Sequence, residues 1–172
     1  LVETDFDSLA RGLYTLKVED ILEYLETILA TLVKNNKLAL RVLETGRLIS
    51  EFPDAFLDDW AASLAASFDR AAARQMIDSE LSYLGRPGGE LLDGWVEVTS
   101  PPAAGERPCV RAMPTRQLHI TAGNAPEVPL ISALRAVLTK SAAVIKLPYG
   151  ATLTGALFAV AAAVGAPEHP IT

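Results

Sequence analysis

Between Val128 and Ala166 the chain is rich in Ala, Val, Leu and Ile, and Lys140 and Lys146 cut that run into pieces. The unbroken apolar runs that remain are at most roughly a dozen residues, short of the ~20 that a helix needs to cross a bilayer. No membrane span is therefore expected, and the pieces read as buried helices and strands of an α/β layer. Their order constrains the fold. Gln117-Leu118-His119-Ile120-Thr121 has the make-up of a strand and leads into the loop Ala122-Gly123-Asn124-Ala125-Pro126. Pro129 suits the first turn of a helix carrying Leu130, Leu134 and Leu138. Ala142-Ala143-Val144-Ile145-Lys146 reads as a buried strand, and Thr152 or Thr154 can cap a last helix that ends near Gly165. Strand, helix, strand, helix implies two parallel strands joined by a right-handed crossover. Such units belong to nucleotide-binding α/β folds, where ligands gather beyond the carboxyl ends of the strands. Asn124 follows one of these strands and Lys146 ends the next.

The first half of the chain reads as helical. Val18, Ile21, Leu22, Leu25, Ile28, Leu29 and Leu32 recur at helical spacing, with Glu19 and Asp20 where a first turn favours negative charge. Asn35-Asn36 breaks that helix. A second helix is expected over 36–50, and a third segment carries Phe56, Trp60, Leu64 and Phe68. Asp69 caps a fourth that places Met76, Ile77, Leu81 and Leu84 on one face. Gly85 stops it and opens a turn-rich linker, Arg86-Pro87-Gly88-Gly89. Beyond the linker Trp95-Val96-Glu97-Val98-Thr99 alternates as a strand, with Cys109 to Met113 as its hairpin partner.

Half of the 172 residues are hydrophobic and 21% are charged, which fits a globular chain. A net charge of −6 disfavours nucleic-acid backbone as a partner. Cys109 is the only cysteine, so no intramolecular disulfide forms, and a reducing, cytoplasmic setting is favoured. It is expected to be a small, partly buried strand residue. No metal site is expected, since Asp58-Asp59 marks a solvated helix face without a His or further acid at ligand spacing. Trp60 and Trp95 are read as core or interface anchors, His119 as facing the sheet or packing beside the loop, and His169 as a loop residue.

The run Leu118-His119-Ile120-Thr121-Ala122-Gly123-Asn124-Ala125-Pro126 resembles the aldehyde dehydrogenase segment I-T-P-W-N-x-P. Ala143-Val144-Ile145-Lys146-Leu147-Pro148-Tyr149-Gly150-Ala151-Thr152 resembles the same superfamily's V-x-K-P-x-x-x-T segment, with Leu147 inserted after the lysine. The wording H-I-x-x-G-N-x-P is closest to the acyl-CoA reductase branch, which includes the LuxC-type fatty acyl-CoA reductases. The resemblance covers roughly 95–172.

The resemblance implies an α/β protein with a helical region at 1–88, then part of an aldehyde-dehydrogenase-like nucleotide-binding domain at 89–172. It gives Asn124 a catalytic role, its amide holding the oxyanion that develops at the substrate carbonyl. It gives Lys146 the cofactor ribose, Thr121 and Gly123 a backbone course along the cofactor, and Pro148 and Tyr149 the ribose wall. The implied cofactor is NADP, with NAD as the alternative; the implied substrate is an acyl-CoA, and the parent enzyme would be a homo-oligomer. The family's catalytic cysteine lies downstream of the Lys segment, so Cys109 does not inherit that role and the 172 residues alone are expected to lack reductase activity. An aldehyde or semialdehyde dehydrogenase shares the Asn and Lys roles and stands as an alternative. So does a non-catalytic α/β binding module.

Overall fold

The computed structural model describes residues 5–34, 44, 53, 55, 69–98, 107–123, 128–148 and 152–172, with the side chains of 32–34 and 152–154 left aside. The break at Asn35-Asn36, the Phe56 to Phe68 segment and the Asp58-Asp59 pair lie outside those residues, as does the helix expected over 36–50 apart from residue 44.

Two helices open the described chain. α1 spans Phe6–Thr15 and was not foreseen. Its signal was present nonetheless: Asp5 accepts from the backbone N–H groups of Asp7 and Ser8 at 3.0 and 3.1 Å, satisfying donors that a helix start leaves orphaned. α2 spans Val18–Lys34. Val18, Ile21, Leu22, Leu25, Ile28 and Leu29 are all buried, as their spacing predicts, and Tyr24 joins them. Full burial of each Leu or Ile is worth about 1.5–3 kcal/mol over exposure. Asp20 reaches back to accept from the Lys17 N–H at 3.0 Å, closing the helix start on itself.

α3 spans Arg70–Glu80, with Asp69 accepting from the Ala72 N–H at 2.7 Å as its expected cap. Met76 and Ile77 pack inward, but Leu84 does not share their face. The helix ends at Glu80, and Tyr83 to Arg86 form a tight turn with Leu84 at φ 47° and Gly85 at φ 77°. Leu84 is left 49% exposed. The expected linker at Gly88-Gly89 is instead the start of a short helix, α4, over Gly88–Asp93. Gly88 sits so close to α3 that a Cβ there would collide with the Ile77 carbonyl oxygen. The glycines serve close packing, not flexibility.

β1 (Val96–Glu97) and β2 (Cys109–Val110) form the expected antiparallel hairpin in miniature, Val96 opposite Val110 and Glu97 opposite Cys109. Trp95 is 66% exposed, so it is no core anchor. Cys109 is exposed rather than partly buried, because a two-stranded ribbon at the surface has little to cover it.

The α/β unit follows in the expected order: β3 (Arg116–Ile120), α5 (Val128–Leu138), β4 (Ala142–Lys146) and α6 (Thr152–Gly165). β3 and β4 pair in parallel, with Arg116 opposite Ala142 and Ile120 opposite Lys146. A single core joins α2, α3, α5 and α6, holding Ile21, Ile28, Ile77, Leu134, Leu138 and Ala161 among others. β4 is buried on one face only. Leu118, Ile120 and Val144 lie on the sheet's other face and are 70%, 71% and 45% exposed, although parallel sheets are ordinarily covered on both sides. No described helix is long and apolar enough to cross a membrane.

Candidate functional site

The parallel register decides what the two motif segments share. Ile120 and Lys146 are partners at the last rung of the ladder, so both segments leave the sheet at the same, carboxyl edge. Beyond that rung Thr121 stitches the strand ends together. Its backbone N–H donates to the Lys146 carbonyl oxygen at 3.3 Å, and its hydroxyl donates to the same oxygen at 3.0 Å. Gly123 then turns against Pro148, whose Cβ would lie 3.4 Å from a Cβ placed on the glycine. Thr121, Gly123, Lys146 and Pro148 are thus brought to one edge. Asn124 and Tyr149, the other two residues named from the sequence, lie outside the described residues.

Lys146 is exposed and makes no ion pair among the described residues. Alternation along β4 sets it on the face of Val144, away from the helices. Leu147, read from the sequence as an insertion into the resembled segment, turns inward against α6. A Cβ on Gly155 would meet its Cδ1 at 2.8 Å, so a glycine in the first turns of α6 gives Leu147 its seat. That packing leaves Lys146 exposed at the edge.

Thr121 differs from its expected part in one respect. Its N–H is spent on Lys146, so that donor is not offered to a ligand. The hydroxyl's role was missed in the sequence, because a threonine at a strand end carries no mark of which carbonyl it will reach. Cys109 stands on the separate surface hairpin, its Sγ 4.0 Å from the Arg107 carbonyl oxygen. No group of three or more His, Cys, Asp or Glu among the described residues could hold a metal ion.

His119 points to the opposite, helix-covered face, where its Nε2 lies 2.9 Å from Gln117 Oε1. His169 is more than a loop residue. Its ring stacks on Tyr24 of α2 with centroids 4.3 Å apart, and its Nδ1 accepts from the Ile171 N–H at 3.3 Å. Burial lowers its pKa below 6.5, with Asp20 and Glu23 pulling the other way. Burial likewise raises the pKa of Tyr24 above 10.0, opposed by the hydrogen bond with Thr172.

A lysine that the sequence presented only as an interruption is the most buried polar group described. Lys140, 1% exposed, follows α5 in a left-handed conformation at φ 57°. Its Nζ donates to the Leu92 carbonyl at 3.0 Å and to Asp93 Oδ1 at 2.7 Å. The same Asp93 oxygen accepts the Val18 N–H at 2.9 Å. One carboxylate therefore ties the start of α2, the end of α4 and the entry to β4.

No curated protein and no solved structure gives a significant match to the chain. The model of the acyl-CoA reductase (LuxC) family matches residues 13–163, taking in the end of α1, all of α2 and both motif segments. The chain belongs to the LuxC family of acyl-CoA reductases.

Proposed function

We propose that the chain forms the cofactor-side part of an NAD(P)H-dependent acyl-CoA reductase, with an aldehyde-dehydrogenase-like nucleotide-binding unit over 89–172 behind a helical region over 1–88. The observation that carries this reading is the shared carboxyl edge. A parallel βαβ unit presents an exposed ammonium there, beside a glycine turn, in a chain of this family. Other features support it. One core joins α2 and α3 to α5 and α6, so the helical region would stiffen the nucleotide-binding part.

The residues at the edge fit a nucleotide's ribose. Lys146 offers rotatable donors and a positive charge suited to hydroxyls or to a 2′-phosphate, which favours NADP, with NAD as the alternative. Pro148 and Tyr149 would wall the ribose, and Gly123 would let the backbone pass close to the cofactor. When bound, the nicotinamide would supply hydride. Asn124 would hold the substrate carbonyl oxygen, its amide donating as charge develops there. Thr121 acts through Lys146 and not on the ligand: it fixes the β4 terminus from which the lysine projects.

The nucleophile would be a thiolate outside these 172 residues, forming a thioester with the acyl group and releasing CoA. Cys109 does not suit that part, standing on a hairpin apart from the strand edge. The chain is accordingly expected to bind cofactor without turning over acyl-CoA, and NADPH oxidation by acyl-CoA with these residues alone would overturn that. The binding claim is tested by titrating NADPH and NADH into the chain and into Lys146→Ala. A fall in NADPH affinity of about tenfold or more is expected, the loss of roughly one charge-assisted hydrogen bond. Equal binding by both proteins would remove Lys146 from the site.

A further inference from the structure

The inner face of the sheet holds a second feature, which the motif edge does not use. A cavity of about 250 Å³ lies between β3, α3 and the carboxyl-terminal end of α5. Met76, Ile77, Leu81 and Leu138 supply its hydrocarbon surface. Polar groups line it from each of these elements: His119 and Gln117 from β3, Thr139 just after α5, and Arg135 and Glu80 across the mouth. Alternation along the strands puts His119 and Gln117 on the face opposite to Lys146. The cavity and the proposed cofactor edge are therefore separate places.

We propose that this cavity binds a short-chain alcohol or a like molecule: a small hydrocarbon body with an uncharged hydroxyl head. Size sets the first limit. A dry apolar cavity of about 150 Å³ holds benzene, whereas pockets for larger ligands start near about 300 Å³. The volume here suits a body somewhat larger than benzene and excludes a nucleotide or CoA. Charge sets the second. Arg135 already donates to Glu80 at 3.0 Å, so the mouth carries a matched pair. Both side chains are about half exposed, so the pair is screened by water and the mouth exerts little pull on a charged head of either sign.

Hydrogen bonding sets the third limit. Gln117 Nε2 donates to Thr115 Oγ1 at 3.4 Å, which turns its Oε1 toward His119. The amide oxygen then accepts from His119 Nε2–H, a tautomer assigned from this network. In the neutral ring the proton on Nε2 leaves Nδ1 as an acceptor, and Nδ1 has no partner among the described residues. A hydroxyl can donate to it and still accept from solvent or the guanidinium; a hydrocarbon cannot, and a carboxylate has no proton to give.

The test follows methyl and imidazole NMR signals of the chain as 1-hexanol is added. Saturable shifts are expected at Met76, Leu81, Leu138 and His119, with none from hexanoate at equal concentration. Met76→Trp, which fills the cavity from a partly exposed position, should abolish them. His119→Phe should weaken hexanol by about five- to tenfold, the worth of one neutral hydrogen bond. Shifts that rise without saturating, or that persist in Met76→Trp, would overturn the site, and equal binding of hexanoate would overturn the uncharged head. Lys146→Ala should leave hexanol binding intact, so this inference and the cofactor reading fail separately.

Discussion

Removing the Asp93 carboxylate should hurt the fold far more than removing the Lys140 ammonium, although they form one pair. In Asp93→Ala, Lys140 stays 1% exposed with only the Leu92 carbonyl to receive its charge, and the Val18 N–H loses its acceptor as well. Breaking a buried pair from one side costs about 3–5 kcal/mol, to which the orphaned helix-start donor adds about 1 kcal/mol. In Lys140→Met the apolar stem is kept and the charge vanishes. Asp93 is 28% exposed, so water can replace the lost partner, and it still accepts from Val18. The cost there should be about 1–2 kcal/mol, mostly the stranded Leu92 carbonyl. Urea unfolding followed by circular dichroism at neutral pH measures both. Because a domain has only about 5–15 kcal/mol in all, Asp93→Ala should lose a third or more of its stability. Adding Lys140→Met to Asp93→Ala should restore part of it, since no buried charge is then left unmatched. If Lys140→Met proves as costly as Asp93→Ala, or the double variant is worse than Asp93→Ala, the burial argument is wrong.

Other expectations rest on separate features. Gly88→Ala should cost about 1–3 kcal/mol by driving a methyl into α3, whereas Gly12→Ala, in α1 with nothing within 4 Å, should gain about 0.5–1 kcal/mol; urea midpoints of the two variants should move in opposite directions. The depressed pKa of His169 means that the unfolded chain binds its proton more readily, so this residue has no effect on stability above about pH 6.5 and lowers stability as pH falls below it. His169→Phe keeps the stack on Tyr24 and should flatten that part of the stability–pH curve; an unchanged slope would refute the assignment. Leu118→Thr and Ile120→Thr, on the bare face of the sheet, should alter stability by under about 0.5 kcal/mol. They should reduce concentration-dependent light scattering, which an unchanged signal would contradict.

Much of the fold could be read because helical spacing and strand order are local signals. The buried stripe of α2, the Asp69 cap and the β3-α5-β4-α6 order each depend on neighbours in sequence. Polarity misled where tertiary position overrode it. On β3, Gln117 and His119 face the helices while Leu118 and Ile120 face outward, the reverse of an ordinary half-buried strand. Lys140 looked like a break in an apolar run and is instead its most enclosed charge, because its partner Asp93 is 47 residues away. Gly88 and Gly89 looked like a turn-rich linker because sequence cannot show that α3 lies against them. For the candidate site, the motifs located the strand ends but not the bond from Thr121 to the Lys146 carbonyl.

That bond has a mechanical consequence. The carbonyl of Lys146 is gripped twice by one residue, so the root of the lysine is already immobile before any ligand arrives. On the proposed reading, a ligand at the ammonium would need only to still a four-carbon tether, whose rotamer freedom is worth about 1.5–2 kcal/mol. The peptide beneath has surrendered its own freedom during folding, and the grip at the tip becomes correspondingly less costly.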